Sequence, residues 1–591
     1  LRLCAKIVLA KAQSSDEGVG ELNHYFQAFM ETFSMMNKKN SLYISLRRFF
    51  LLSLLLLTVH TLALAERHER LVDSWHPVHY DIALALDDQL TEITSARALI
   101  SVQVLKGPLN VLDLDFGAMM VDSVTVGNTT ARFEQSSGKL NVQLPETANS
   151  SDKLTVTINY HGQPKDGLVL AKDKAGKPSA TGDNWPDRVH NWIPCLDHPS
   201  AKATVNFTVT APAREIVVAN GQLTATRNNT DATRTWTYTE SRPIPPYCMI
   251  VAVAEYAESE PQTKTLTPLR YYVPQTDRDY AVQGFSAAPF SVSLFSERVA
   301  PYPYEKLALI VGATRFGGME NSSAIVFPGN LFDQRKAAQP VSQRFNIRRG
   351  LETVTAHEIA HQWFGDSVTE STWADLWLSE GFATYFAGLV VEQYDGQEAF
   401  RDYMKNAAAK YLSYERERRA PIHDTETEDL FKLLNPNNYE KGAWVLHMLR
   451  GMLGDAAFFK GIRAYYLAHE SKTATTEDLR AALEKASGMD LKEFFARWVY
   501  GSGHPVYEVS WTWQSTKGQS GVLTINLRQT QADAPFLNPL VVETTTAKGA
   551  ERTTIKPTGK ESSMRIPLAS KPTNVRIDPD EFVLKEIVVK Q

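Results

Sequence analysis

The run His357-Glu358-Ile359-Ala360-His361, with Glu380 further on, constrains this chain more than any other stretch. Residues 355–364 read as helix, closed by Gly365 just past the end. At ~3.6 residues per turn the two imidazoles point within roughly 40° of each other, so both can reach one metal ion. Glu358 falls on the neighbouring row, beside the ion without being a ligand. Paired histidines on a helix also occur as ordinary core or surface residues, so a third ligand has to be found. Glu380 supplies it, inside a second helix-like run, residues 377–384. Two His and one carboxylate leave a Zn2+ position open to water, the ligand set of a catalytic site. We therefore expect one zinc per chain, held where two helices meet.

A chain of 591 residues is too long for one core, and three or four domains are expected. A net charge of −5 removes any electrostatic case for nucleic acid. Residues 1–35 carry no export pattern, and we expect them to come from an over-extended reading frame, with translation starting at Met35 or Met36. Residues 36–65 then have the plan of a signal peptide. Lys38, Lys39, Arg47 and Arg48 precede an apolar run that ends Ala63-Leu64-Ala65, which predicts cleavage after Ala65. An uncleaved anchor is the alternative, but the run is short for a span of ~20 residues and contains Thr58, His60 and Thr61. The expectation is an exported chain, periplasmic or extracellular, with no stable membrane span after cleavage. Cys195 and Cys248 are too few for a disulfide framework and read as buried free thiols.

Along the chain, residues 70–260 alternate with period two between recurrent turns and read as an N-terminal domain of antiparallel sheets. A polar stretch, residues 258–267, is a candidate boundary. A short apolar strand follows, then Gly317-Gly318-Met319-Glu320-Asn321. Glycines beside a strand permit another backbone to approach, and a peptide could add along that edge, although an ordinary glycine turn has the same composition. Helical patterns dominate the rest of 261–503. Asn435-Pro436-Asn437-Asn438 delivers Tyr439 to a helix start, where an aromatic is also an ordinary packing residue. Period two returns over 504–591, which reads as a β-sandwich.

These motifs resemble a known family. His357-Glu358-Ile359-Ala360-His361-Gln362-Trp363-Phe364-Gly365-Asp366 and Trp377-Leu378-Ser379-Glu380-Gly381-Phe382-Ala383 are similar to the gluzincin metal signature of the aminopeptidase N family, which includes leukotriene hydrolase-type enzymes. Gly317-Gly318-Met319-Glu320-Asn321 is similar to its Gly-x-Met-Glu-Asn exopeptidase motif, with Gly318 where Ala is frequent. Tyr439-Glu440-Lys441-Gly442 resembles the segment of its catalytic tyrosine, and Pro194-Cys195-Leu196-Asp197-His198-Pro199 an N-domain landmark. The resemblance implies a multidomain α+β chain: a β saddle domain, a thermolysin-like catalytic domain and a short β-sandwich. We expect no counterpart here of the family's C-terminal helical domain. A second departure is Trp185, where the family places Gln or Glu near the substrate amine; Asp183 is the neighbouring carboxylate that could substitute.

What this implies is a zinc metallo-aminopeptidase acting on peptides with a free N-terminus. His357, His361 and Glu380 hold the metal, Glu358 is the general base, and Tyr439 stabilises the oxyanion by resemblance. Gly317, Gly318, Met319 and Glu320 bind substrate, Glu320 pairing with the α-ammonium. Asp375 could orient a ligand histidine or simply start a helix. A zinc endopeptidase, a non-catalytic peptide-binding module and an epoxide-hydrolysing side activity are the rivals.

Overall fold

The computed structural model describes residues 67–337, 350–516 and 520–590. The over-extended segment and the signal peptide expected over residues 1–35 and 36–65 lie outside the described residues. The chain is α+β, β-rich first and mostly helical around the candidate metal residues.

The N-terminal region is built on an eight-stranded sheet whose centre pairs Trp75–Leu86 with Ile93–Val104. The alternation in the sequence sets the faces: Tyr80, Ile82 and Leu84 lie opposite Ile100, Ala98 and Ala96, and all six are buried. Trp75–Leu86 pairs on its other side with Ala203–Pro212 in parallel, so the sheet is not wholly antiparallel as expected. Alternation reports which face is buried, not the direction of the partner strand. Two smaller sheets complete the region. One pairs Pro178–Gly182, which precedes Trp185, with Val251–Ala254, which precedes the catalytic sheet.

That catalytic sheet has the order Tyr256–Ser259, Leu269–Pro274, Leu307–Gly312, Ala324–Pro328. Residues 258–267, read as a boundary, instead end the first strand and run toward the second, and these two strands pair antiparallel. The remaining strands run parallel. Leu307–Gly312 is buried along nearly its whole length, as a central parallel strand covered on both faces must be. Helices Ala287–Arg298, Leu351–His361, Trp377–Asp395 and Gly442–Leu453 build the core beside it. Trp377–Asp395 is buried from Trp377 to Val391, so it runs through the middle rather than along the surface. It crosses the Gly442 helix closely: a Cβ on Gly381 would lie 2.9 Å from the Gly442 Cα. Only two glycines permit that approach, and it brings the segment before Gly442 up to Glu380.

The last region holds a four-stranded sheet (Glu561–Leu568, Gly521–Gln529, Val506–Ser515, Glu586–Lys590) and a three-stranded one (Gly549–Ile555, Leu540–Thr546, Asn574–Ile577). Their inward residues, among them Leu523, Ile525, Leu540 and Val542, join the same apolar core as the catalytic helices. Among the described residues no helix is long and apolar enough to cross a membrane.

Candidate metal centre

The helix carrying the histidine pair spans Leu351–His361. Its buried face is Leu351, Ala356, Ile359 and Ala360. It stops at His361, earlier than the expected residue 364, and Gly365 follows at φ +122°. Glu380 sits in the first turn of Trp377–Asp395. The two helices place His357 Nε2 3.2 Å from Glu380 Oε2, His361 Nε2 3.4 Å from the same oxygen, and the two Nε2 atoms 3.1 Å apart. Tetrahedral zinc with bonds of about 2.0–2.1 Å needs ligand atoms about 3.3–3.4 Å apart, so this triangle fits a metal of that size. His361 is oriented from behind: its Nδ1–H donates to the Phe364 carbonyl at 3.1 Å, and Ser379 Oγ lies 2.9 Å from the same nitrogen. Nε2 is then the lone-pair end facing the metal position.

The charge balance agrees with the geometry. Burial pushes Glu380 upward, but His361 and His357 beside it outweigh that and hold its carboxyl below the usual range. Burial opposes charge on His361, yet Glu380, then Glu320 and Glu358, raise its pKa well above the ordinary histidine value. Desolvation pushes Glu358 well up and Glu320 up to about 7, with neighbouring carboxylates adding to both. Three carboxyls crowded on two imidazoles make a pocket that a dication would neutralise.

Glu320 and Glu358 complete the site. Glu320, Glu358 and His361 each bring a ligating atom within 4.8 Å of the others. Glu320 follows Met319, which pairs with Val326 through hydrogen bonds of 2.8 and 2.9 Å. The segment before it passes over Glu358 so closely that a Cβ on Gly318 would lie 2.3 Å from Glu358 Oε1. The alanine frequent in the resembling family would make Glu358 turn aside here. Gly317 has open space at the same point.

Tyr439 enters from a single π-helical turn, Asn437–Lys441, of the kind that often marks functional sites. Its ring stacks on His357 at 5.9 Å between centroids, and its hydroxyl donates to Glu380 Oε1 at 2.6 Å. Burial and then the Glu380 charge hold the phenol pKa well above its ordinary value, so it keeps its proton and remains a donor.

The structure thus gathers His357, His361, Glu380, Glu358, Tyr439, Gly318, Met319 and Glu320 in one place. Two sequence readings change, and the two alternatives left open for Asp375 are decided. Asp375 does not touch a ligand histidine; its Oδ1 accepts from the Thr476 amide at 3.2 Å and hydroxyl at 2.6 Å, fixing the start of Thr476–Ser487. Asp183 cannot substitute as an amine ligand, because Arg188, Arg315 and Thr314 already occupy it at 2.9, 3.1 and 2.7 Å. Trp185 is buried edge-on against Phe316, Trp373 and Phe431, which makes an aromatic wall where the family has a polar group. Cys195 and Cys248 are buried and free, as expected. Ser379 and Gln362 were not singled out from the sequence. The only signal was their place, one before Glu380 and one after His361.

Comparison with known proteins bears on both halves of this chain. The Peptidase family M1 domain model matches residues 292–498 and the Peptidase M1 N-terminal domain model residues 76–248, together more than half of the chain. Aminopeptidase M1 of Arabidopsis thaliana is 30% identical over 324 residues, covering 53% of this chain and 36% of the relative. Glutamyl aminopeptidase of Homo sapiens is 27% identical over 468 residues, covering 75% and 48%. Tricorn protease-interacting factor F2 of Thermoplasma acidophilum is 26% identical over 415 residues, covering 68% and 51%. The chain therefore spans about a third to a half of the length of these relatives.

Proposed function

Starting from a chain that belongs to the M1 family of peptidases, we propose that it is a zinc-dependent aminopeptidase that releases N-terminal residues from peptides. The observation that carries this is the placement of a buried carboxyl, Glu320, within 4.8 Å of Glu358 and His361, beside the ligand triangle. Bound by His357, His361 and Glu380, zinc would bring the pKa of water toward ~7 and polarise a carbonyl.

The chain's own groups do the rest. Glu358, beside the ligand triangle without belonging to it, takes the proton of the attacking water and returns it to the leaving amine. Tyr439 donates its hydroxyl proton to the oxygen on which charge develops, turning from Glu380 to do so. Glu320 pairs with the α-ammonium of the substrate. A blocked or internal residue would leave that carboxyl buried and unpaired, which restricts cleavage to the first bond. Met319 is bridged to Val326, and the glycines before it leave room for a substrate backbone to approach from the other side as an added strand. An endopeptidase would have no use for Glu320 at this place.

The finer architecture fits the same reading: a saddle-like β domain, a thermolysin-like catalytic domain, and a β-sandwich formed by the two last sheets. The basic and apolar residues of 36–65 support export, to a periplasmic or extracellular location.

The test is hydrolysis of chromogenic amides of Ala, Leu, Arg and Asp, each free and N-acetylated, with and without a zinc chelator. Chelator-sensitive release from the free amides alone is expected. Equal cleavage of acetylated amides would favour an endopeptidase. Glu358→Gln should retain zinc by elemental analysis and lose about 10²–10⁴ in turnover; a zinc-loaded variant with near-normal turnover removes Glu358 from the base role.

A further inference from the structure

We propose that Gln362 is a positioning residue that sets the distance between the amine anchor and the metal ligands, and so decides which peptide bond meets the metal. The inference rests on the aminopeptidase reading and adds a residue to it.

Gln362 directly follows His361 and is completely buried. Its amide nitrogen donates to the Glu320 carbonyl at 2.8 Å and to Asp366 Oδ2 at 2.7 Å. Its amide oxygen accepts from the Ser323 amide at 2.8 Å and the Tyr302 hydroxyl at 2.9 Å. All four hydrogen bonds suited to a primary amide are made, and two go to the segment that presents Glu320. That segment turns back through Asn321–Ala324, closed by the Ala324 amide on the Asn321 carbonyl at 2.9 Å, with Ser323 at φ +62°. A residue with a side chain holds that left-handed conformation only where its surroundings fix it. Gln362 supplies one of the fixings from the metal helix itself.

The ligands do not depend on Gln362 in the same way. His361 is held by the Phe364 carbonyl and Ser379, and Glu380 by Tyr439 and the helix around it. Replacing the amide by a hydrocarbon of the same length leaves the ligand triangle supported. It strips the Glu320 carbonyl and Ser323 amide of a buried partner, while Asp366 and Tyr302, which lose one too, keep Cys248 and the Lys306 carbonyl. A misplacement of about 1 Å at an orienting group can cost about 10²-fold in rate, and here the cost falls only on substrates that use Glu320.

Wild type, Gln362→Met and Tyr302→Phe would be assayed as zinc-loaded full chains on alanine p-nitroanilide, free and N-acetylated, with zinc content measured. Gln362→Met should lower kcat/KM for the free amide by about 30–100-fold. The slow acetylated reaction should stay within about threefold and zinc content should stay unchanged. Tyr302→Phe leaves three of the four bonds of Gln362, while also freeing the Lys306 carbonyl, and should shift the same ratio by about 3–10-fold. Parallel losses on both substrates, or an unchanged ratio in zinc-loaded Gln362→Met, overturn the proposal. Should Gln362→Met fail to fold, an unchanged ratio in Tyr302→Phe overturns it instead. A wild type with no preference for the free amine would sink the aminopeptidase reading, which keeps the two failures apart.

Discussion

Glu320→Gln tests the amine anchor directly, because it keeps the shape of the side chain and removes only its charge. Glu320 is 7% exposed, and burial raises its pKa to about 7, so the free site holds its carboxylate at a cost. A substrate ammonium would relieve that cost by pairing with it. Taking one partner out of a buried pair typically costs about 3–5 kcal/mol, since the other charge is left without a counterion. Glu320 is not wholly sealed from water, at 7% exposed, so the low end applies. About 3 kcal/mol is about 10²-fold in kcat/KM at 1.36 kcal/mol per decade. The assay is kcat/KM for leucine p-nitroanilide and its N-acetyl derivative in wild type and variant, at matched zinc content. The free amide should lose about 10²-fold and the acetylated one less than about threefold. Equal losses on the two substrates would refute the reasoning, because Glu320 would then be supporting the site rather than reading the amine.

Tyr439→Phe should lower kcat by about 10²–10³ with little change in KM, and a pure binding defect by steady-state kinetics would place the tyrosine outside the oxyanion role. Ser379→Ala should weaken zinc binding about tenfold in a chelator competition, since Ser379 backs His361 while Phe364 still holds the ring. Asp375→Asn should leave zinc affinity alone and destabilise the fold by about 1–3 kcal/mol in urea unfolding, as expected if its carboxylate serves Thr476 and His423 and no metal ligand. Asp187 tests a pH dependence. Burial first, then the Asp197 charge, raises its carboxyl from 3.8 to about 6. The native state therefore holds the extra proton between about pH 4 and 6, and stability falls as pH rises through that window. Asp187→Asn should be more stable than wild type at pH 7, by at most about 3 kcal/mol, and equal to it near pH 3.5; a constant difference across pH would exclude this titration.

The metal ligands were legible because helical periodicity is a local property. His357 and His361 share a face whatever the rest of the chain does, and Glu380 needed only a second helix to face them. The role of Glu320 was legible only through family resemblance, since glycines beside a strand have many uses. What stayed hidden depends on partners far away in sequence. Asp375 looks like any helix-start acid until Thr476 is brought beside it. Asp183 looks available until Arg188 and Arg315 close on it. The parallel pairing of Trp75–Leu86 with Ala203–Pro212 has no local signature, because alternation is identical in either direction. Trp185 could be aligned with the family's polar position, but its burial against Phe316, Trp373 and Phe431 follows from three other segments.

The N-terminal β region takes part in holding the site as well as flanking it. Asn220 donates to the Ser322 carbonyl at 2.7 Å, and the Gly221 amide donates to Ser323 Oγ at 2.7 Å. The turn behind Glu320 is thus gripped from the β region on one side and by Gln362 on the other. Lys202, also from that region and almost wholly buried, donates to the carbonyls of Asp366 and Ser367 and to Thr369 Oγ1, at 2.7 to 2.8 Å. It therefore fixes the loop that follows the metal helix. Burial lowers the Lys202 pKa to about 7, which marks how costly that position is for an ammonium and how far its oxygen partners must offset the loss of water. The helices bring the metal residues together by themselves. The place of Glu320, the proposed amine anchor, relative to them is set jointly by Gln362 and by hydrogen bonds that cross from the β region. Changes at Asn220, remote from any reacting atom, should therefore alter the discrimination between free and blocked amino termini before they alter the metal site, whereas changes at Lys202 should act first on the loop behind His361.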